Sequence, residues 1–176
     1  MYTMKRKIAI IAHGLANGGA ERVASILANY FSKSGYNVLF IAAYSAKKEY
    51  KLLDDVEYTY INTLKKKSFG RLIDRNIKIY RKLRQYNADS IFSFIVNETI
   101  LSILHKLPII YSLRIDPNVT KNWIDRVLRE YAYLKSKKVV FQTKGAQAYF
   151  SNKIKEKSII IPNPILLTHI KIPTTI

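Results

Sequence analysis

Seven apolar runs of four to seven residues punctuate the chain: "KIAIIA" (7–12), "NVLFIAA" (37–43), "VEYTYI" (56–61), "SIFSFIV" (90–96), "LPIIYSL" (107–113), "KVVFQT" (138–143) and "SIIIP" (158–162). Continuous apolarity over so short a length marks strands covered on both faces, as in a parallel sheet. Only "VEYTYI" alternates apolar with polar, which places it at an edge where one side meets water.

Between the runs the period changes from two to 3.6. "AERVASILANYFSKSG" puts Val23, Ile26, Leu27, Tyr30 and Phe31 on one helical stripe, with Gly35 as its C-terminal stop. Phe69 to Tyr86 repeats the pattern through Phe69, Leu72, Ile73, Ile77, Tyr80 and Leu83, and "NWIDRVLREYAYLKS" through Ile124, Val127, Leu128, Tyr131 and Leu134. Each stripe is expected to face the sheet. Strand followed by helix, repeated with right-handed crossovers, predicts an α/β Rossmann-like domain. It has a mostly parallel sheet of about seven strands and helices on both faces.

The length of 176 residues suits one compact domain with a sizeable core. With hydrophobic residues at 48% the chain can bury enough apolar surface to offset its ordering entropy. The absence of cysteine excludes disulfide frameworks, thiolate nucleophiles and Cys-bearing zinc sites, and points to a cytoplasmic protein. The opening "MYTMKRKIAIIAHGLA" imitates a secretory signal, but its apolar stretch, Ile8 to Ala12, is too short and is cut by His13. No stretch approaches the roughly 18 apolar residues that would cross a bilayer.

Charge changes the picture more. Thirty Lys and Arg against twelve Asp and Glu give a net charge of +18, a field that favours polyanions: nucleic acid, anionic lipid or phosphorylated substrates. Lysines that merely solvate the surface would give the same count. Much of the charge is concentrated in one run: Lys65, Lys66, Lys67, Arg71, Arg75, Lys78, Arg81, Lys82 and Arg84 stand against a single acid, Asp74. If the apolar stripe of that helix faces the sheet, these cations face outward and suit an anionic membrane surface. No RNP-type aromatic motif or recognition helix supports a nucleic-acid reading.

In open α/β sheets ligands sit beyond the carboxyl ends of the strands. Three polar turns lie there. "HGLANGG" (13–19) follows the first strand and holds His13, Asn17, Gly18 and Gly19. Its glycines permit positive φ and close backbone approach, and the next helix would aim free N–H groups at an anion, with Arg22 one turn in. A plain turn is the competing reading. "NET" after the fourth strand presents Asn97 and Glu98, unless Asn97 only caps a helix. "RIDPN" after the fifth presents Arg114 and Asp116, unless the two simply pair. His13 is the one histidine near this rim, and no metal-ligand spacing links it to His105 and His169. The glycines lack the spacing of a dinucleotide fingerprint or of a triphosphatase loop.

Taken in order, "GLANGGAERVASILANYF", "FSFIVNETI", "IIYSLRIDP", "VVFQTKGAQAYF" and "SIIIPNPI" resemble bacterial glycosyltransferases of the large retaining family with the GT-B fold, glycosyltransferase family 4. They resemble in particular the members that build capsular, lipopolysaccharide and other lipid-linked glycans. The resemblance covers residues 5 to 165.

It implies an N-terminal, acceptor-binding domain over residues 1–161 and an interdomain linker beginning at 162–176, "IPNP" being similar to the junction into a donor-binding domain. It further implies glycosyl transfer with retention and a nucleotide-sugar donor held through that second domain. It implies a glycan or lipid-linked acceptor and peripheral attachment at the inner face of the membrane. No cofactor and no metal are required, the leaving diphosphate being stabilised electrostatically. Gly18 and Gly19 would approach the donor diphosphate, while Asn97, Glu98, Arg114 and Asp116 would line the acceptor side. Many relatives carry a histidine after the fifth strand where this chain has "RIDP", so no catalytic residue is assigned. Without its second half the chain is expected to be inactive alone. A non-catalytic basic binding module, from a split gene or for nucleic acid, is the alternative, and an epimerase sharing the two-domain fold fits the layers but not "GGAER" and "RIDP".

Overall fold

A computed structural model of the chain describes residues 5–16, 18–63, 68–120 and 122–164. All seven apolar runs form strands: β1 (Lys7–Ala12), β2 (Asn37–Ala42), β3 (Val56–Tyr60), β4 (Ser90–Ser93), β5 (Ile109–Leu113), β6 (Lys138–Phe141) and β7 (Ser158–Ile160). They make one sheet in the order β3-β2-β1-β4-β5-β6-β7, every neighbouring pair parallel. The alternating run, β3, is an edge as its pattern requires. The register places Ile10 between Phe40 and Phe92, so the middle strands interlock apolar side chains on each face. Several runs reached two or three residues past their strands, because the chain leaves the sheet while still apolar to line the rim.

The helices are α1 (Gly19–Lys33), α2 (Ser68–Tyr86), α3 (Ile100–Leu104), α4 (Trp123–Lys135), α5 (Lys144–Ala148) and α6 (Asn152–Glu156), with 3-10 turns at Asn97–Thr99 and Pro117–Val119. Helix α1 covers one face of the sheet, where Ala24 and Ala28 pack with Ile10, Phe40 and Val38. The remaining helices contribute Ile79, Leu83, Ile103, Tyr133, Ile154 and others to the opposite core, joined by Phe150 from the turn between α5 and α6. That core is aromatic at its β6 end, with Phe150 centred 5.1 Å from Phe141 and 5.3 Å from Tyr133. Gly35 ends α1 at φ 85, and Gly35 N and Tyr36 N donate back to Ser32 O and Phe31 O, both at 3.0 Å. This is the left-handed stop that glycine makes cheap.

Which face each helix buries departs from the stripes. In α1 the buried residues are Val23, Ala24, Ser25 and Ala28, while Tyr30 is 63% exposed. Small residues let the helix approach the sheet closely, and Leu27 and Phe31 flank the contact. In α2, Arg75, Ile79 and Leu83 are buried, and Phe69 and Ile73 are exposed. In α4 the inward residues are Arg129, Ala132 and Tyr133, and Ile124, Val127 and Leu134 stand in solvent.

Candidate functional site

The strand order reverses between β1 and β4, and the crevice above that switch point is where an open α/β sheet places ligands. A cavity of about 450 Å³ opens there. His13, following β1, lines it together with Phe94 to Glu98 after β4 and Leu113 to Ile115 after β5. Turns distant in sequence thus share one rim because three parallel strands end side by side.

Within it the polar groups are fixed by specific bonds. Glu98 is 6% exposed and accepts a hydrogen bond from the Tyr44 hydroxyl. Burial, reinforced by the Glu98 carboxylate, holds that hydroxyl well above the ordinary tyrosine range, so it stays a donor. The Tyr44 ring stacks on His13 with centroids 4.4 Å apart, and the Arg75 guanidinium carbon lies 3.8 Å from its centroid. Arg75 Nε donates to Ala43 O at 2.7 Å. Asn97 Nδ2 donates to Asp125 Oδ1 at 2.9 Å, and Asn97 O accepts from Asn76 Nδ2 at 2.8 Å. Asn97 therefore ties the β4 turn to α2 and α4 rather than capping a helix, the role its place before a helical segment allowed.

Arg114 and Asp116 do not pair. Asp116 caps the turn at Pro117, accepting from Asn118 N at 2.9 Å, and borders a separate hollow of about 400 Å³ with Gly145 and Ala146. Arg114 reaches across the sheet end instead. It donates to Ser112 Oγ at 2.8 Å, Ile161 O at 3.0 Å and Asn163 Oδ1 at 2.9 Å, latching the segment after β7. Half-burial lowers its pKa from the ordinary arginine value.

The glycine pair differs from its expectation in cause. Gly18 has φ −166, ordinary extended backbone, and positive φ occurs at no described glycine except Gly35. Nothing lies within 4 Å of a Cβ built on Gly19. The chain's own conformation therefore does not require glycine there. Ala20, next in line, borders the cavity, while Arg22 is exposed and does not line it. Asn17 lies outside the described residues.

The basic run divides. Arg71, Arg81 and Arg84 are exposed as expected. Lys78 is tied to Asp74 at 2.9 Å and Lys82 to Glu57 at 2.8 Å. Arg75 is no surface cation: it is 8% exposed, because the face of α2 turned to the sheet carries it rather than Ile73. Lys65, Lys66 and Lys67 lie outside the described residues.

Tyr44, Asp125 and Arg129 border the site without having been singled out from the sequence, and Arg75, expected as an outward cation, supports it through the Tyr44 ring. Arg129 is buried, donating to Thr120 Oγ1 at 2.8 Å and Pro117 O at 3.2 Å. No local signal marked either arginine, since Arg75 and Arg129 both lie off the apolar stripes that were expected to face the sheet.

A family model described as Glycosyltransferase Family 4 matches residues 17–168. The chain belongs to glycosyltransferase family 4. Its fold is that of an N-terminal domain of a GT-B enzyme. A glycosyltransferase from Rickettsia africae is similar at 18% identity and TM-score 0.60, over 91% of this chain and 43% of that one. The lipopolysaccharide outer core galactosyltransferase WaaB is similar at 17% and 0.70, over 93% and 47%. UDP-GlcNAc 2-epimerase from Methanocaldococcus jannaschii also shares the fold, at 12% and 0.59, over 89% and 45%. Architecture alone therefore does not separate transferases from epimerases. No curated protein matches the sequence. The chain spans less than half the length of each of these three structures.

Proposed function

We propose that the chain is the acceptor-binding half of a retaining glycosyltransferase. The enzyme would move a sugar from a nucleotide-sugar to a polyprenyl- or lipid-linked glycan at the inner face of the cell membrane, in cell-surface polysaccharide synthesis. The observation that carries this is the switch-point cavity, where the Glu98 carboxylate, the Asn97 amide and the Arg114 guanidinium border one space. A held carboxylate and amide orient sugar hydroxyls, and a guanidinium fork suits a phosphate. The unfilled space over Gly19 leaves room for a bulky polar group to approach the start of α1, where free N–H groups favour an anion. Residues 1–161 form the domain, and the segment from 162 leads toward a donor-binding domain that supplies most of the nucleotide contacts.

On this reading His13, Gly18, Gly19, Asn97, Glu98 and Arg114 meet the substrates, and the donor diphosphate is neutralised by protein cations without metal. Asp116 sits apart from them and shapes its own turn. The chain alone binds acceptor and lacks transfer activity. Titrating it with a polyprenyl-phosphate-linked saccharide and, separately, with radiolabelled nucleotide-sugars tests this. Acceptor binding weakened about tenfold or more by Glu98→Gln, with weak donor binding, is expected, since a charged hydrogen bond contributes about 1.5–3 kcal/mol. Tight donor binding without acceptor binding refutes the division of labour.

A further inference from the structure

The apolar stripe of α2 turns outward at Phe69 and Ile73, though its last member, Leu83, is buried, and that of α4 turns outward at Ile124, Val127 and Leu134. On α4, Trp123, Ile124, Val127 and Leu134 are exposed, Trp123 at 70% and Val127 at 57%. On α2, Phe69 and Ile73 are exposed, and Leu104 of α3 stands between the two helices' outer faces. Of these, Ile73 and Leu104 line a groove of about 370 Å³, whose other walls include Ile77 of α2, Leu101 of α3 and Leu128 of α4. Its polar members are Asn76 and Asn97, both already engaged with backbone or Asp125. Asn97 also borders the switch-point cavity, so the groove and the polar site meet at one residue.

An exposed apolar face of this extent marks a contact surface. Its chemistry identifies the partner. Arg81 and Arg84 lie one and two turns beyond Ile77 on α2, Lys106 follows α3, and Lys135 ends α4, all exposed. The acids of the same helices are occupied: Asp74 by Lys78 at 2.9 Å, Asp125 by Asn97 at 2.9 Å, Glu130 by Ser151 at 2.7 Å. An apolar floor with a cationic margin, on a chain of net charge +18, complements anionic headgroups above hydrocarbon and opposes a second copy of itself.

We propose that the α2, α3 and α4 face docks on an anionic bilayer, with acyl chains entering the groove between Ile73, Leu104 and Leu128. This rests on the membrane-anchored acceptor reading and names the surface that reading needs. Docking through this face would bring the mouth of the polar cavity to the headgroup level, within reach of a glycan carried on lipid.

The chain's single tryptophan, Trp123, reports on the contact directly. The full chain is mixed with phosphatidylcholine vesicles and with phosphatidylcholine–phosphatidylglycerol vesicles, and sedimentation and Trp123 emission are followed. Acyl chains brominated at defined depth serve as quenchers. Binding to the anionic vesicles, a blue shift and quenching are expected. Ile73→Glu and Val127→Glu should each weaken partition about tenfold, since each removes apolar area and adds a charge at the contact. Tyr30→Glu, an equal change of charge at an exposed site of α1 across the sheet, controls for net charge and should cost far less. Vesicle binding that leaves Trp123 unshifted, or that Tyr30→Glu weakens as much, overturns the face while leaving the membrane reading intact. A blue shift that grows with protein concentration in the absence of lipid assigns the face to a second copy and overturns the proposal. No binding to either vesicle overturns both.

Discussion

Replacing Arg75 with methionine separates two roles that the basic run alone cannot distinguish. The substitution keeps an unbranched stem of similar length and removes the guanidinium. Ala43 O then loses the Nε donor now at 2.7 Å, and an unpaired buried carbonyl costs about 1–3 kcal/mol. The Tyr44 ring loses the cation 3.8 Å from its centroid, worth about 0.5–2 kcal/mol when partly desolvated. Together the loss is about 1.5–5 kcal/mol, or about 3–20 °C in Tm for a chain of this length. Urea denaturation followed by circular dichroism reads it, with the slope unchanged if both states keep their compactness. Arg75→Lys should fall between, because an ammonium keeps the charge but not the planar fork. Arg81→Met should leave stability within about 0.5 kcal/mol and instead weaken binding to anionic vesicles about fivefold, the share of one cation near lipid. A stability change in Arg75→Met below about 0.5 kcal/mol, with vesicle binding lost as in Arg81→Met, would return Arg75 to the surface and dissolve the Tyr44–Glu98 support.

Gly35→Ala should destabilise the chain by about 1–2 kcal/mol in the same denaturation experiment, since its φ of 85 is left-handed and a Cβ is strained there whatever the space. Burial raises the hydroxyls of Tyr44, Tyr111 and Tyr133 above the ordinary value of 10.0. The folded chain therefore keeps protons that the unfolded chain releases, and the stabilisation is complete below pH 10. It falls as the pH rises from there toward the folded values, by up to about 1.4 kcal/mol per unit for each such tyrosine. Alkaline unfolding coincident with the ultraviolet rise of tyrosinate is the expected result. Titration of all thirteen tyrosines near pH 10 in a still-folded chain would contradict it.

The sheet was legible because burial on both faces writes itself as an uninterrupted apolar run, and because an edge strand such as β3 must alternate. The helix faces were legible only as periodicity. A stripe says which residues share a face, and not whether that face meets the sheet. In α1 the sheet takes the small residues Ala24 and Ala28, and the bulky Tyr30 is left outside. In α4 it takes Ala132 and Tyr133, the latter sealed by Phe141 and Phe150, so the larger stripe through Ile124 and Val127 is the outer one. Close approach to a twisted sheet selects for fit and not for hydrophobicity summed along a helix.

The same rule explains what the site reading found and missed. Residues at strand ends, His13, Asn97, Glu98 and Arg114, were legible because a parallel sheet delivers its carboxyl ends to one rim. Arg75 was not, because among cations at helical spacing nothing local marks the one that turns inward. Its burial depends on the carbonyl of Ala43 and the ring of Tyr44, residues 32 and 31 positions upstream. An arginine that faces the core while isoleucine faces water is a local inversion of the usual pattern, and it occurs in this fold at α2 and again at α4. Both helices thereby give polar support to the cavity from their inner faces and keep an apolar surface on their outer ones. The two properties are coupled by helical geometry: rotating either helix to bury its stripe would withdraw Arg75 or Arg129 from the site. An amphipathic helix in the ordinary sense could not serve both the cavity and the outer face, and that coupling is why the inversion occurs in the two helices that border the switch point.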